Sequence, residues 1–123
     1  MNAPTELPFR VEPREVPAAM IDALKARFGE RCSTALAVRE QHGRDESPFD
    51  VRPPDAVVFC ESTEEVAAAV ALADRYAVPV IPFGVGSSLE GHLLAVQGGI
   101  SIDVSRMNRV LQVNPEDLTV MLE

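Results

Sequence analysis

The stretch that decides the fold is VIPFGVGSSLEGH, residues 80–92. It opens with an apolar run typical of a strand and continues into a loop with glycines at positions 84, 86 and 91. Such a loop can turn successive backbone N–H groups toward one point and form an anion-binding concavity. Taken alone, however, the motif favours an ordinary glycine-rich surface loop over a binding site. The flanking sequence is therefore needed to distinguish a binding site from an ordinary surface loop.

Two common phosphate motifs do not fit this loop. Gly84-Val85-Gly86 starts a dinucleotide-binding GxGxxG fingerprint, but Leu89 takes the place of the third glycine. The stretch HLLAVQGG at residues 92–99 is too short and glycine-broken for the crossover helix of that fold. The Lys of a GxxxxGK[ST] loop is absent as well. The sequence thus indicates a different kind of phosphate site.

The sequence around the loop predicts an α+β fold, with a β-α-β start followed by a small mixed sheet. A capping box at Ser62 and Glu65 begins an alanine-rich helix, and Pro79 forbids its continuation. The last two strands are joined by NPED at residues 114–117, which predicts a type I turn with proline at its second position. The strands are expected at residues 56–60, 80–83, 100–104, 110–113 and 118–122.

The chain is expected to divide into a helical lead-in at residues 1–50 and a main body at residues 51–123. Residues 1–15 are proline-rich and show no apolar period. Residues 17–28 then carry apolar side chains on one helical face, and Gly29 stands where that helix would end.

A shorter second helix is predicted over residues 33–43, capped by Ser33 and ended by Gly43. Four residues near its end could form a substrate-side cluster, although an exposed charged connection explains them with fewer assumptions. These four residues are Arg39, His42, Arg44 and Asp45.

Composition excludes several functions. Nineteen acidic and eleven basic residues give a net charge of −8, which disfavours nucleic acid as a partner. The N-terminus lacks the pattern of an export signal, and no apolar run is long enough to span a bilayer, which predicts a cytoplasmic protein.

Cys32 and Cys60 have no Cys or His within five residues, so we expect free thiols and no metal site.

Five segments in order resemble the start of the FAD-linked oxidase fold of the vanillyl-alcohol-oxidase type, which contains the PCMH-type FAD-binding domain. The resemblance covers about residues 36–123. Within that fold, the chain is most similar to the FAD-dependent D-lactate dehydrogenases, with glycolate oxidase subunits as near relatives. This narrower resemblance is carried by the glycine loop and by AVREQHGRDES at residues 37–47. Collinear segments are far more specific than one loop. The five segments are PPDAVVF, STEEVAAAV, VPVIPFGVGSSLEGH, GGISIDVSRMNRVL and EDLTVMLE.

The resemblance implies that the loop wraps the FAD pyrophosphate, with the N–H groups of residues 84–88 as donors. Where the family usually has G-T-G-T or G-G-G-T, this chain places Val85 and Ser87 at the variable positions. Some relatives attach FAD through a His inside the loop, but residues 82–89 contain none, so noncovalent FAD is expected. The implied cofactor-binding residues are Pro82, Phe83, Gly84, Val85, Gly86, Ser87, Ser88, Leu89, Gly91 and His92.

The same resemblance implies oxidation of D-lactate or a related 2-hydroxy acid by hydride transfer to flavin, with a cytochrome or quinone as electron acceptor. The family's catalytic His, its carboxylate-gripping Arg and, in some members, a divalent metal lie toward the C-terminal half, so no catalytic residue is expected here. The last strand ends without a turn or cap, which predicts a piece of a longer enzyme that is inactive alone. Peripheral association of that enzyme with the inner membrane is an alternative to a purely cytoplasmic location.

Three other functions stay open. The chain could belong to another FAD-linked oxidase acting on glycolate or an alditol, to a flavin-dependent reductase of cell-wall precursors, or to a catalytically incompetent fragment without cofactor. A nucleophilic role for Ser87 or Ser88 would need a base and an orienting carboxylate, which the sequence does not favour. His92 is expected to be a hydrogen-bonded loop residue, and Asp103 to cap the turn at Ser105.

Overall fold

The computed structural model describes residues 12–123, so the part of the predicted lead-in at residues 1–11 lies outside the described residues. Helices and strands alternate as far as the first strand after the third helix, and three more strands then follow without a helix between them. They are α1 (Ala18–Phe28), β1 (Cys32–Ser33), α2 (Leu36–His42), β2 (Ala56–Phe59), α3 (Thr63–Arg75), β3 (Val80–Phe83), β4 (Ile100–Asp103), β5 (Val110–Asn114) and β6 (Thr119–Leu122), with a 3-10 turn at Gly29–Arg31.

Four strands form one mixed sheet in the order β1-β2-β4-β3. The pairs β2/β4 and β4/β3 are parallel, whereas β1 runs antiparallel to β2. Strands β2 and β3 are linked through α3, as the predicted β-α-β unit requires. The α+β fold with a mixed sheet is therefore confirmed. Strand β1 was not predicted, because two residues are too short to show an alternating pattern.

The core lies between α1, α3 and the sheet. Helix α1 buries Met20, Leu24 and Phe28, which are spaced for one helical face. Helix α3 buries two alanines, whose small side chains allow the helix to lie close to the sheet. The strands contribute Ala56, Val58, Ile100 and Ile102 to the same cluster. No helix in residues 12–123 has both the length and the apolar character needed to cross a membrane.

Both lead-in helices exist, but the predicted start of the second is wrong. Helix α1 ends at Gly29 with φ 58, as expected of a glycine terminator. Helix α2 begins at Leu36 with Ala35 at its N-cap. Ser33 instead pairs with β2, and its hydroxyl accepts the Ala35 N–H at 3.3 Å. The hydroxyl therefore stabilises the bend between strand and helix rather than the helix end.

Strands β5 and β6 form a separate two-stranded sheet. The connecting turn differs from the prediction, because its hydrogen bond runs from the Leu118 N–H to the Pro115 carbonyl, one residue later than expected. Leu118 adopts φ 53 there, which allows the chain to enter β6. The apolar side chains of this hairpin are exposed; they are Val110, Leu111, Val113, Leu118, Val120, Met121 and Leu122.

Glu65 joins the start of α3 to the 3-10 turn. The Glu65 N–H donates to the Ser62 hydroxyl at 3.2 Å, as a capping box predicts, while its carboxylate accepts the Glu61 N–H at 2.8 Å. The Arg31 guanidinium also donates to both carboxylate oxygens, at 2.6 and 2.7 Å. The hydrogen bonds that the carboxylate accepts, above all those from Arg31 and then that from Glu61, lower the pKa of Glu65 to about 2.

We expect the stabilisation by Glu65 to be lost in acid. The pKa is depressed in the folded state, so the contribution is complete above the ordinary value of 4.5 and is lost as the pH falls toward 2. The difference in unfolding free energy between the natural protein and Glu65→Gln should shrink over that window, as measured by urea unfolding followed by circular dichroism. Glu64→Gln, at an exposed neighbouring position, is the control. A difference that did not change with pH would contradict the assignment.

Candidate functional site

The three parallel strands end side by side, and the glycine loop leaves from that edge. The register pairs Asp103, the last residue of β4, with Phe59 at the end of β2 and with Phe83 at the end of β3. Sites in open α/β sheets form beyond the carboxyl ends of parallel strands. Residues 84–92 leave β3 at this position, and residues 84–99 contain no helix, as the exclusion of a dinucleotide fold required.

The loop presents free backbone donors. The N–H groups of residues 84–88 form no hydrogen bond with any residue between 12 and 123. Gly86 has φ 75, a conformation that other residues rarely adopt, and a Cβ there would lie 3.0 Å from the Phe83 ring. Consecutive free amides around such a glycine form the concavity that binds anions.

Most of the predicted loop residues are exposed, whereas Phe83 is buried and Gly86, Ser88 and Gly91 are half-buried. Val85 is 86% exposed, so its branched side chain projects into solvent and does not fill the loop. Phe83 is buried beneath Gly86 and supports the loop from below. The other exposed members are Pro82, Gly84, Ser87, Leu89 and His92.

Asp45 holds the far end of the loop. Its Oδ2 accepts the Gly91 N–H at 2.8 Å and the Ser88 hydroxyl at 3.1 Å. The Ser88 Oγ also lies 2.8 Å from His92 Nδ1, which confirms His92 as a hydrogen-bonded loop residue. Of the implied cofactor-binding residues, Gly91 therefore has its amide, and Ser88 its hydroxyl, already bonded within the protein.

This cluster is not a nucleophilic triad. A triad needs a histidine between the serine and the carboxylate, so that the carboxylate orients the base. Here the Ser88 hydroxyl lies between Asp45 and His92. The exposed His92 ring has no carboxylate partner within the described chain. This arrangement agrees with the sequence analysis, which does not favour a nucleophilic role for Ser88.

His42 is the residue that sequence reasoning missed. The expectation that His42 lies in an exposed connection is wrong, because its side chain is 4% exposed. Its ring lies 4.2 Å from the Phe83 ring and 5.6 Å from the Phe59 ring, between centroids. Its Nε2 lies 2.8 Å from Asp103 Oδ2. The available signal was the spacing of Val38 and His42, which places both on one face of a helix.

Both ring nitrogens of His42 face oxygen atoms. The Nδ1–H donates to the Val38 carbonyl at 2.8 Å, and Nε2 faces the Asp103 carboxyl group. The Val38 carbonyl and the Asp103 carboxyl group therefore hold the His42 ring through both of its nitrogens. The other Asp103 oxygen accepts the Ser105 N–H at 2.7 Å, which confirms the predicted cap.

The proposed substrate-side cluster does not converge. The Arg39 side chain donates to the Pro54 carbonyl at 2.6 Å and fixes α2 to the start of the main body. His42 points into the interior and Asp45 toward the glycine loop. Arg44 and Asp45 line a groove of about 360 Å³ that reaches Gly86.

Metal ligands and reactive thiols do not assemble in the described part of the chain. Between residues 12 and 123, no group of three His, Cys, Asp or Glu side chains could hold a metal ion. Cys32 and Cys60 are free thiols, as expected, and the structure shows that both are buried. Burial raises the pKa of both thiols, that of Cys60 to about 11.

The comparisons with known proteins agree with this geometry. Residues 54–123 match the family model described as FAD binding domain. The chain is 48% identical over 94 residues to the probable mitochondrial D-lactate dehydrogenase of Danio rerio, covering 76% of this chain and 19% of that protein. It is 38% identical over 121 residues to the mitochondrial D-lactate dehydrogenase [cytochrome] of Arabidopsis thaliana, covering 97% of this chain and 21% of that protein. A solved structure of alkyldihydroxyacetonephosphate synthase superposes with a TM-score of 0.74 at 30% identity, over 92% of this chain and 25% of the other.

Fold and loop together define a flavin-binding domain. The chain belongs to the FAD binding domain family, and its homologues and structural neighbours place it among the FAD-linked oxidases of the vanillyl-alcohol-oxidase type. FAD is thus the cofactor, and the free amides of residues 84–88 fit a pyrophosphate. The chain spans about a fifth of the length of the two curated relatives.

We expect His42→Leu to destabilise the protein by about 3 to 5 kcal/mol, because it leaves the buried Asp103 carboxyl without its partner. His92→Leu removes an exposed ring and should change stability by about 0.5 kcal/mol or less. Urea unfolding of both variants of the natural protein checks this. Equal effects of the two substitutions would show that the buried contact contributes little.

Proposed function

We propose that the protein is an FAD-dependent dehydrogenase of D-lactate or a related 2-hydroxy acid, with a cytochrome or quinone as electron acceptor. Residues 51–123 form its FAD-binding domain and residues 1–50 its helical lead-in. Bound FAD supplies the hydride acceptor. The residues of this chain hold its pyrophosphate. The bases and arginines that act on the substrate lie outside this chain.

The free amides of residues 84–88 are the observation that carries the proposal. Amide dipoles can bind a diphosphate without a cationic side chain, which suits a chain with a net charge of −8. The identity to two D-lactate dehydrogenases supports the substrate class. Glycolate, an alditol or another substrate of the same fold is the alternative.

Noncovalent attachment is supported by the state of the side chains in this chain that could react with FAD. Residues 82–89 contain no histidine. The ring of His42 is buried and bonded through both nitrogens, and both thiols are buried with raised pKa values. His92 remains as an exposed imidazole, but it lies beyond the amides that would hold the pyrophosphate and is bonded to Ser88. We therefore expect FAD to be released when the protein is denatured.

The protein is proposed to act in the cytoplasm, with peripheral association with the inner membrane as the alternative. The relatives' printed names place those proteins in mitochondria. Cell fractionation followed by immunoblotting distinguishes the two locations.

We expect Gly86→Val to abolish FAD retention in the natural protein. The substitution forces a β-branched residue into φ 75 and drives its Cβ to 3.0 Å from the Phe83 ring, which displaces the loop amides. FAD is released by acid precipitation and counted per protein in the supernatant. Flavin that stayed with the precipitate would instead indicate a covalent bond.

Gly29→Val is the matched control for Gly86→Val. Gly29 also has a positive φ, 58, but no atom lies within 4 Å of the added Cβ, and the site is at the end of α1. It should lose stability yet keep its FAD. Equal flavin content in the two variants would show that the loop is not part of the cofactor site.

We expect D-lactate to bleach the flavin absorbance of the full-length enzyme, which supplies the bases and arginines that this chain lacks, under anaerobic conditions. L-lactate, glycolate and an alditol, tested at equal concentration, should reduce the flavin much more slowly. Faster reduction by glycolate or the alditol would assign the protein to the alternative. Bound flavin that none of these compounds reduced would overturn the 2-hydroxy acid proposal, and a purified protein without flavin would support the incompetent fragment.

A further inference from the structure

The segment HGRDE, residues 42–46, contacts the glycine loop and its support at three residues, which are Phe83, Ser88 and Gly91. Below the loop, the His42 ring lies against Phe83, whose ring supports Gly86. Beside it, the Glu46 N–H donates to the Ser88 carbonyl at 2.9 Å. At its far end, Asp45 accepts hydrogen bonds from Ser88 and Gly91. This segment lies outside the matched FAD-binding region at residues 54–123.

We propose that Asp45 is a positioning residue that holds the FAD loop in its binding conformation. The proposal rests on the proposed function, since it assigns a task within the same cofactor site. It adds a residue that the sequence had assigned to an exposed connection.

Asp45 is unsuited to bind the cofactor directly. An ionised carboxylate repels a diphosphate, so its place beside a phosphate loop needs another reason. Burial acts to raise the pKa of Asp45, but hydrogen bonds from Ser47, Ser88 and Gly91 outweigh burial and leave the pKa below its usual value. The group is thus ionised at neutral pH, and hydrogen bonds to an ionised acceptor are the stronger kind.

The backbone that precedes Asp45 is held in place by the backbone of Arg52. A Cβ on Gly43 would lie 2.4 Å from the Arg52 carbonyl oxygen, so the two backbones meet too closely for any side chain. The Arg52 N–H donates to the Gly43 carbonyl at 2.9 Å. The Ser47 N–H then donates to Asp45 Oδ1 at 3.0 Å and orients the carboxylate. The hydrogen bonds to the loop therefore come from an anchored segment.

Anchoring matters because the amides of residues 84–88 have no partner among the described residues to hold them. If the loop also visits other conformations, only the fraction of molecules whose loop is in the binding conformation can bind FAD. The apparent affinity for FAD is reduced in proportion to that fraction. Loss of the Asp45 hydrogen bonds should lower that fraction, and the dissociation constant for FAD should rise about tenfold, the effect of one charge-assisted hydrogen bond.

The test compares Asp45→Ala and Asp45→Asn with the natural protein, using FAD-free preparations. Asp50→Asn is the matched control, since it makes the same change at an exposed position in the same connection. Two quantities are measured: the dissociation constant for FAD, from quenching of flavin fluorescence, and hydrogen exchange of amides 84–91 without FAD. Should Asp45→Ala not fold, Asp45→Asn, which keeps the side-chain shape, decides.

Positioning predicts weaker FAD binding and faster exchange of the loop amides in the Asp45 variants, with β2 and β4 amides unchanged and Asp50→Asn like the natural protein. Equal affinity in all variants would overturn the proposal. So would faster exchange of β2 and β4, which would mean general loss of structure. A natural protein that binds no FAD would overturn the proposed function instead, and loop exchange would still show whether Asp45 holds the loop.

Discussion

The carboxyl edge of the sheet depends on the hydrogen bond between His42 and Asp103. One residue from the lead-in and one from the central strand meet there, at 2.8 Å, where water is excluded. An unpaired polar group in such a place would be costly, so the two residues have to stay together. Because His42 also lies on Phe59 and Phe83, its position fixes the ends of all three parallel strands. The lead-in is therefore part of the site's foundation.

A phosphate site built from bare amides leaves a structural problem. Backbone donors kept free for a ligand cannot also stabilise their own loop. This chain solves the problem with side chains and backbone from another segment, which engage Phe83, Ser88 and Gly91 and leave the amides between them exposed. The acidic composition is compatible with the same solution, since amides rather than lysines face the anion.

The sequence predicted the parts of the structure that rest on local patterns. The capping box at Ser62 and the terminator Gly29 gave helix ends, and the apolar runs gave five strands. It did not predict β1 or the burial of His42, which depend on partners far along the chain. It also misplaced by one residue the turn before Leu118, although that turn is closed by a local hydrogen bond to Pro115. A histidine in a charged stretch looks exposed until its distant carboxylate is known.

The two cysteines have a practical consequence. Their thiols are buried, and the pKa of Cys60 is raised to about 11, so neither offers a thiolate to solvent at neutral pH in the folded protein. Alkylation by a reagent such as iodoacetamide therefore requires the structure around each thiol to open. The rate of labelling at these native positions reports how often the core opens, with no engineered probe.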